Sequence, residues 1–130
     1  MRIAAARVQE RLALQEGSVL QALKVQERRL ERLDDYMRSR LSAPVALADL
    51  ARAAGVSVRG LNMLCQRHHG ESPMVLLRNR RLDAVRARLL EQPGHCVTDT
   101  ALEFGFGHLG RFSSYYRERF GELPSQTAGA

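Results

Sequence analysis

The sequence predicts an all-α chain: two helix-turn-helix units joined by a long linker helix, preceded by an N-terminal amphipathic helical arm. Three observations carry this. Leu, Ala, Arg and Glu dominate, and strand-like runs of Val, Ile and Thr are absent, a composition that favours helix. The four prolines, Pro44, Pro73, Pro93 and Pro124, fall where one element gives way to the next, as expected of a residue that lacks an N–H and clashes inside a helix. Finally, a motif in the middle of the chain returns near its end. Ala51 and Ala101 are 50 residues apart, and Gly70 and Gly121 are 51 apart.

The arm comes first. Val8, Leu12, Val19, Leu23, Leu30, Leu33, Met37 and Leu41 cluster within a stripe of roughly 80° at helical periodicity. Residues 8–41 therefore read as one or two amphipathic helices. Gly17-Ser18 marks an expected interruption, with Ser18 and Gln21 placed as a capping box that restarts the helix. The stripe either packs on its own domain or forms a seam for weak self-association through residues 8–41. Val8, Val19, Leu30 and Leu41 recur every 11 residues, which disfavours an ordinary left-handed coiled coil.

The first copy of the repeat runs Leu50-Ala51-x3-Gly55-Val56-Ser57, then Leu61, Cys65 and Gly70-Glu71-Ser72-Pro73. The second runs Thr100-Ala101-x3-Gly105-Phe106-Gly107-His108, then Phe112, Tyr116 and Gly121-Glu122-Leu123-Pro124. The one-residue difference in offset places an extra residue in the second turn. Between the copies, residues 73–92 read as a helix with Ser72 as N-cap and Pro93-Gly94 as its stop.

Composition bounds the function. With 130 residues, the chain is one compact domain or two very small ones, and an extended surface is a better working part than a deep cleft. A net charge of +6 points to an acidic partner, nucleic acid before a membrane surface. No apolar run is long enough for a transmembrane helix. The early charges Arg2 and Arg7 exclude a signal peptide. Two cysteines make no disulfide framework, which fits a reducing cytosol. Aromatics at 5% with no Trp argue against a stacking platform for single strands.

Each repeat has the grammar of a helix-turn-helix. Ala51 and Ala101 are small where a second helix crosses the first. Gly55 and Gly105 tolerate the positive φ of the turn. Leu61 and Phe112 close the pair. In this form the sequence resembles the tandem helix-turn-helix DNA-binding domain of AraC/XylS-type transcription regulators. The matching residues are Leu47-x2-Leu50-Ala51-x3-Gly55-Val56-Ser57, Gly70-x-Ser72-Pro73, Arg81-Leu82-x2-Val85 and Ala101-x3-Gly105-Phe106. The run Gly105-Phe106-Gly107-His108-Leu109-Gly110-Arg111-Phe112, continuing through Tyr116-Arg117 to Phe120-Gly121-Glu122-Leu123-Pro124-Ser125, is closest to the XylS-like branch. The resemblance covers roughly residues 30–126, with a first unit at about 30–72 and a second at about 97–121. It leaves residues 1–29 as an arm or interdomain-linker remnant and 127–130 as a tail. Cys65, His69 and Thr100 stand where the family often has Phe or other apolar residues, so a looser core is expected in the first unit.

The recognition helices are expected at about 57–69 and 108–120, with their first two turns facing the major groove. Candidates for base edges in the first are Arg59, Asn62 and Met63. Arg suits guanine O6/N7, Asn suits adenine N6/N7, and Met suits a thymine methyl. Leu109, Gly110, Arg111, Ser113 and Ser114 hold those places in the second. Gly110 costs about 1 kcal/mol of helix propensity, which close approach to DNA would justify. Candidates for phosphate contact are Ser57 and His108 at the helix N-termini, with Arg67, Arg80, Arg81 and Arg117 at the rim.

Other chemistry finds little support. Cys65 and His69 share a helix face, but His68 points away and Cys65 occupies a core position of the repeat, so no closed set of zinc ligands forms. No nucleophile triad, paired carboxylates or phosphate loop occurs in a suitable setting. No metal, cofactor or enzymatic activity is expected. The resemblance implies a double-stranded DNA binder that acts on RNA polymerase in the bacterial cytoplasm, at the nucleoid. The family's sensing domain, which in the XylS-like branch often answers aromatic carboxylates, has no room here, so the effector-binding domain is expected to be absent from this chain. A protein-interaction or dimerisation module with an incidental basic face is the alternative.

Overall fold

A computed structural model describes residues 2–129, with side chains from residue 15 onward. Among the described residues the chain forms helices α1 (Arg2–Ser39), α2 (Leu47–Ala54), α3 (Val58–His69), α4 (Pro73–Glu91), α5 (Val97–Glu103), α6 (Leu109–Phe120) and α7 (Pro124–Gly129).

The arm and the start of the first unit are one helix. α1 passes through Gly17-Ser18 without a break, contrary to the expected interruption. An interior glycine costs only about 1 kcal/mol, which good helix formers on both sides offset. α1 ends where Pro44 approaches, and the Ser39 hydroxyl donates to Tyr36 O at 2.8 Å. Val8 and Leu12, the first positions of the apolar stripe, lie outside the described side chains. The rest of the stripe divides. Val19 and Leu23 are 59% and 50% exposed, whereas Leu33 and Met37 are buried in the first core.

Local chemistry sets the boundaries of the remaining helices. Ser72 accepts the Val75 N–H at 3.3 Å, and Pro73 occupies the first position of α4, where its missing N–H is no loss. The two copies of the repeat close their turns with the same hydrogen bonds. Gly55 N donates to Arg52 O and Val56 N to Ala51 O; Gly105 N donates to Leu102 O and Phe106 N to Ala101 O. Gly55 and Gly105 hold φ of +73° and +87°, where a Cβ would be strained.

Two cores result. Leu33, Met37, Leu50, Leu61 and Cys65 build the first, closed by Leu76 and Leu77 of α4. Leu82, Val85 and Leu89 of α4 join Ala101, Phe104, Phe112 and Tyr116 in the second. α4 therefore belongs to both units, and its 19 residues span about 28 Å. Rings of Phe106, Phe112, Tyr116 and Phe120 stack in sequence at 4.9, 5.8 and 4.6 Å between centroids. Residues 127–129, read as part of a tail, belong to α7. Its Thr127 is buried, accepts the Tyr116 hydroxyl proton at 2.7 Å and donates to Glu122 at 2.6 Å. Thr100 is buried with its hydroxyl donating to Cys96 O at 2.9 Å.

Candidate nucleic-acid interface

The reading surfaces are assembled from the N-terminal halves of α3 and α6. α3 starts because the Ser57 hydroxyl accepts the Gly60 N–H at 3.1 Å. α6 starts because His108 Nδ1 accepts the Arg111 N–H at 3.1 Å. Each cap satisfies one N–H that the first turn leaves without a helical partner. An acceptor at Nδ1 also fixes the neutral imidazole as the tautomer whose proton sits on Nε2. A Cβ at Gly110 would stand 3.3 Å from His108 Cε1. The glycine thus makes room for the capping ring, a reason the sequence alone did not supply.

Of the base-edge candidates, Arg59, Asn62 and Met63 are exposed on α3, Met63 at 54%. Leu109, Gly110, Arg111 and Ser114 are exposed on α6, and Ser113 is half-buried. The Ser114 hydroxyl donates to Gly110 O at 3.2 Å, so it is oriented along its own helix. On the buried side of the same helices, Leu61 and Cys65 in α3 match Phe112 and Tyr116 in α6. Burial pushes the Cys65 thiol pKa up.

The rim candidates separate into two groups. Arg67 and Arg117 are exposed and make no ion pair among the described residues. Arg80 and Arg81 instead turn inward. Arg80 pairs with Asp34 of α1 at 2.6 Å. Arg81 donates through Nη2 to Ala43 O at 2.7 Å and to Arg40 O at 3.4 Å, and burial lowers its pKa. Both half-buried side chains are thus engaged by partners within the protein, unlike Arg67 and Arg117. Neighbouring cations on α4 behave alike. Arg78 lies 3.9 Å over the Tyr115 ring. Arg88 pairs with Glu103 at 2.7 Å. Asp83 accepts from both Nε and Nη2 of Arg119, at 2.7 and 3.0 Å, and raises the arginine pKa.

One neighbour of the reading face was missed in the sequence. α1 packs on α2, and Gln26 and Arg29 line a groove together with Gly60, Met63 and Arg67 of α3. Only the packing of α1 brings Arg29 there.

Comparison with known proteins follows the same lines. A family model described as a helix-turn-helix domain matches residues 50–130. The chain is 41% identical over 99 residues to the XylDLEGF operon transcriptional activator 3 of Pseudomonas putida, a match covering 75% of this chain and 30% of that protein. It therefore spans less than a third of that relative's length. Among solved structures, a probable AraC family transcriptional regulator from Rhodopseudomonas palustris superposes with a TM-score of 0.71 at 33% identity, covering 77% of this chain and 94% of the other. A regulator with an AraC-type DNA-binding domain from Chromobacterium violaceum gives a TM-score of 0.71 at 29% identity, covering 77% and 88%.

Proposed function

Because the chain belongs to the AraC/XylS family of helix-turn-helix transcription regulators, we propose that it reads double-stranded DNA by inserting α3 and α6 into successive major grooves, about 34 Å apart on one face of the duplex. The observation that carries this reading is the symmetry of the two helices. Each begins at a side-chain cap, buries one side in its own core and exposes an arginine early in the other, Arg59 in α3 and Arg111 in α6. A helix placed this way offers side chains to base edges and backbone N–H groups to phosphate at once.

In this reading Arg59, Asn62 and Met63 specify one half-site. Leu109, Arg111 and Ser113 specify the other, where Gly110 lets the helix approach closely. Ser57, His108, Arg67 and Arg117 hold the flanking phosphates. His108 donates there from Nε2 while Nδ1 caps the helix. Bound DNA would place the chain against RNA polymerase as an activator in the bacterial cytoplasm. The exposed Val19, Leu20 and Leu23 support weak self-association through the arm; Leu33 and Met37 are occupied in the core and take no part.

Selection of genomic fragments by the purified chain, followed by affinity against salt, tests the reading. Real phosphate contacts give a steep fall of log affinity with log salt. Arg59→Ala and Arg111→Ala are each expected to cost about 1–3 kcal/mol at separate groups of base pairs. Unchanged base preferences in both variants would remove these two helices as the reading surfaces.

A further inference from the structure

The span of α4 between the two cores is tied down by side chains that base reading does not use. Leu77 is the last α4 side chain in the first core and Leu82 the first in the second. Any bend or twist of α4 at residues 78–81 would turn one unit against the other. Arg81 lies at the end of this span. Its Nη2 donates to Ala43 O and Arg40 O, in the connection that follows α1. Arg40 O also accepts the Ala43 N–H at 3.2 Å, and a cation complements the negative end of the helix. On the other side, Nη1 is pressed against the second unit's turn: a Cβ on Gly105 would stand 2.9 Å from it. Leu41, from the same α1–α2 connection, packs on the second core. One guanidinium therefore touches the first unit's connection and the second unit's turn, from a helix that both units share.

We propose that Arg81 is a positioning residue that fixes the separation and angular phase of α3 and α6, and so sets the number of base pairs accepted between the two half-sites. The proposal rests on the reading that both helices enter grooves. One base pair inserted between half-sites moves them apart by about 3.4 Å and rotates them by about a tenth of a turn, more than a clamped junction can follow.

The test uses the full chain and Arg81→Met, which keeps an apolar stem and removes every donor. Affinity is measured on a selected operator and on versions with one base pair added or removed between the half-sites. The parent is expected to lose on the order of tenfold or more on the altered spacings, and the variant no more than about threefold. Equal proportional losses in parent and variant would overturn the proposal. If Arg81→Met fails to fold, Leu41→Ala loosens the same junction without touching α4, and the same two outcomes decide. A second measurement needs no DNA. Spin labels on the exposed Cys96 and on Ala48→Cys, also exposed, report the distance between the units; Cys65 is buried and stays unlabelled. A narrow distribution in the parent and a broader one in Arg81→Met are expected, and equal widths would refute the positioning role. A parent that selects no DNA fragment yet shows this broadening would sink the DNA reading and leave the junction standing.

Discussion

The Tyr116 hydroxyl is buried, and it remains affordable there only because Thr127 receives its proton and passes a second hydrogen bond to Glu122. Removing the middle member leaves a buried donor without a partner, which is worse than never having had the pair. Thr127→Val, nearly isosteric, is therefore expected to lower stability by about 1–3 kcal/mol, read from denaturant midpoints at unchanged m-value. No change in midpoint would show that the relay is idle. Single residues differed sharply in how far the sequence disclosed them. Ala51, Gly55, Ala101 and Gly105 were legible, since a tight helical turn has few alternatives to small residues and positive φ. Arg80 and Arg81 were not, because an arginine on an amphipathic helix looks the same whether it meets water, phosphate or a carbonyl of the next element. At Gly110 the sequence offers close approach to DNA as the reason for a glycine, and the structure adds a second reason, the nearby ring of His108.

At the level of elements, boundaries set by local chemistry were legible to within a residue. The linker helix and both recognition helices lie where their caps and stops placed them. The break expected at Gly17-Ser18 was an error of weight: the local signal existed, but its cost is small beside the surrounding helix propensity. α7 was only partly legible, because its place depends on the tertiary contact with Tyr116. α2 illustrates a cap that is read in three dimensions. No side chain is available at Ala46, yet the Asp49 carboxylate reaches back to accept the Ala46 N–H at 2.9 Å. That hydrogen bond first, and the Arg52 guanidinium second, lower the Asp49 pKa below 3.8. A depressed carboxylate stabilises the fold above its unfolded pKa, and the contribution disappears as pH falls through the folded value. Asp49→Asn is thus expected to be less stable than the parent at neutral pH, with the gap closing once pH drops below 3.8. Thermal unfolding across that range checks it; a gap independent of pH would assign the effect to something other than the carboxylate.

At the level of the molecule, the sequence revealed the duplication but not the junction between its copies. Arg40 and Ala43, Arg81 and Gly105 lie far apart along the chain, and their meeting has no periodicity to betray it. The arm shows the same limit. One continuous stripe in the sequence serves two ends, with Leu33 and Met37 committed to the core while Val19, Leu20 and Leu23 stay exposed. Deleting residues 1–24, short of the half-buried Val25 and Gln26, is expected to leave the rest folded and to abolish any weak self-association seen by sedimentation. A tight dimer surviving the deletion would place the seam elsewhere. Among the described residues no helix is long and apolar enough to cross a membrane.

The division of α4 between two cores has a consequence for how the chain comes off the ribosome. Every side chain of the first core lies between Leu33 and Leu77, so that core can close while the second unit is still being made. The second core has no such independence: it recruits Leu41 from the earlier unit and Ala128 from α7, and so must wait until α7 has been made. Domains generally acquire structure as their chain emerges, N-terminal portions first. Arrested nascent chains should accordingly gain protease resistance in two steps, one soon after Leu77 clears the exit tunnel and another only after Ala128 does. A single step at the later point would mean that the first core, complete in composition, still needs the second to hold it.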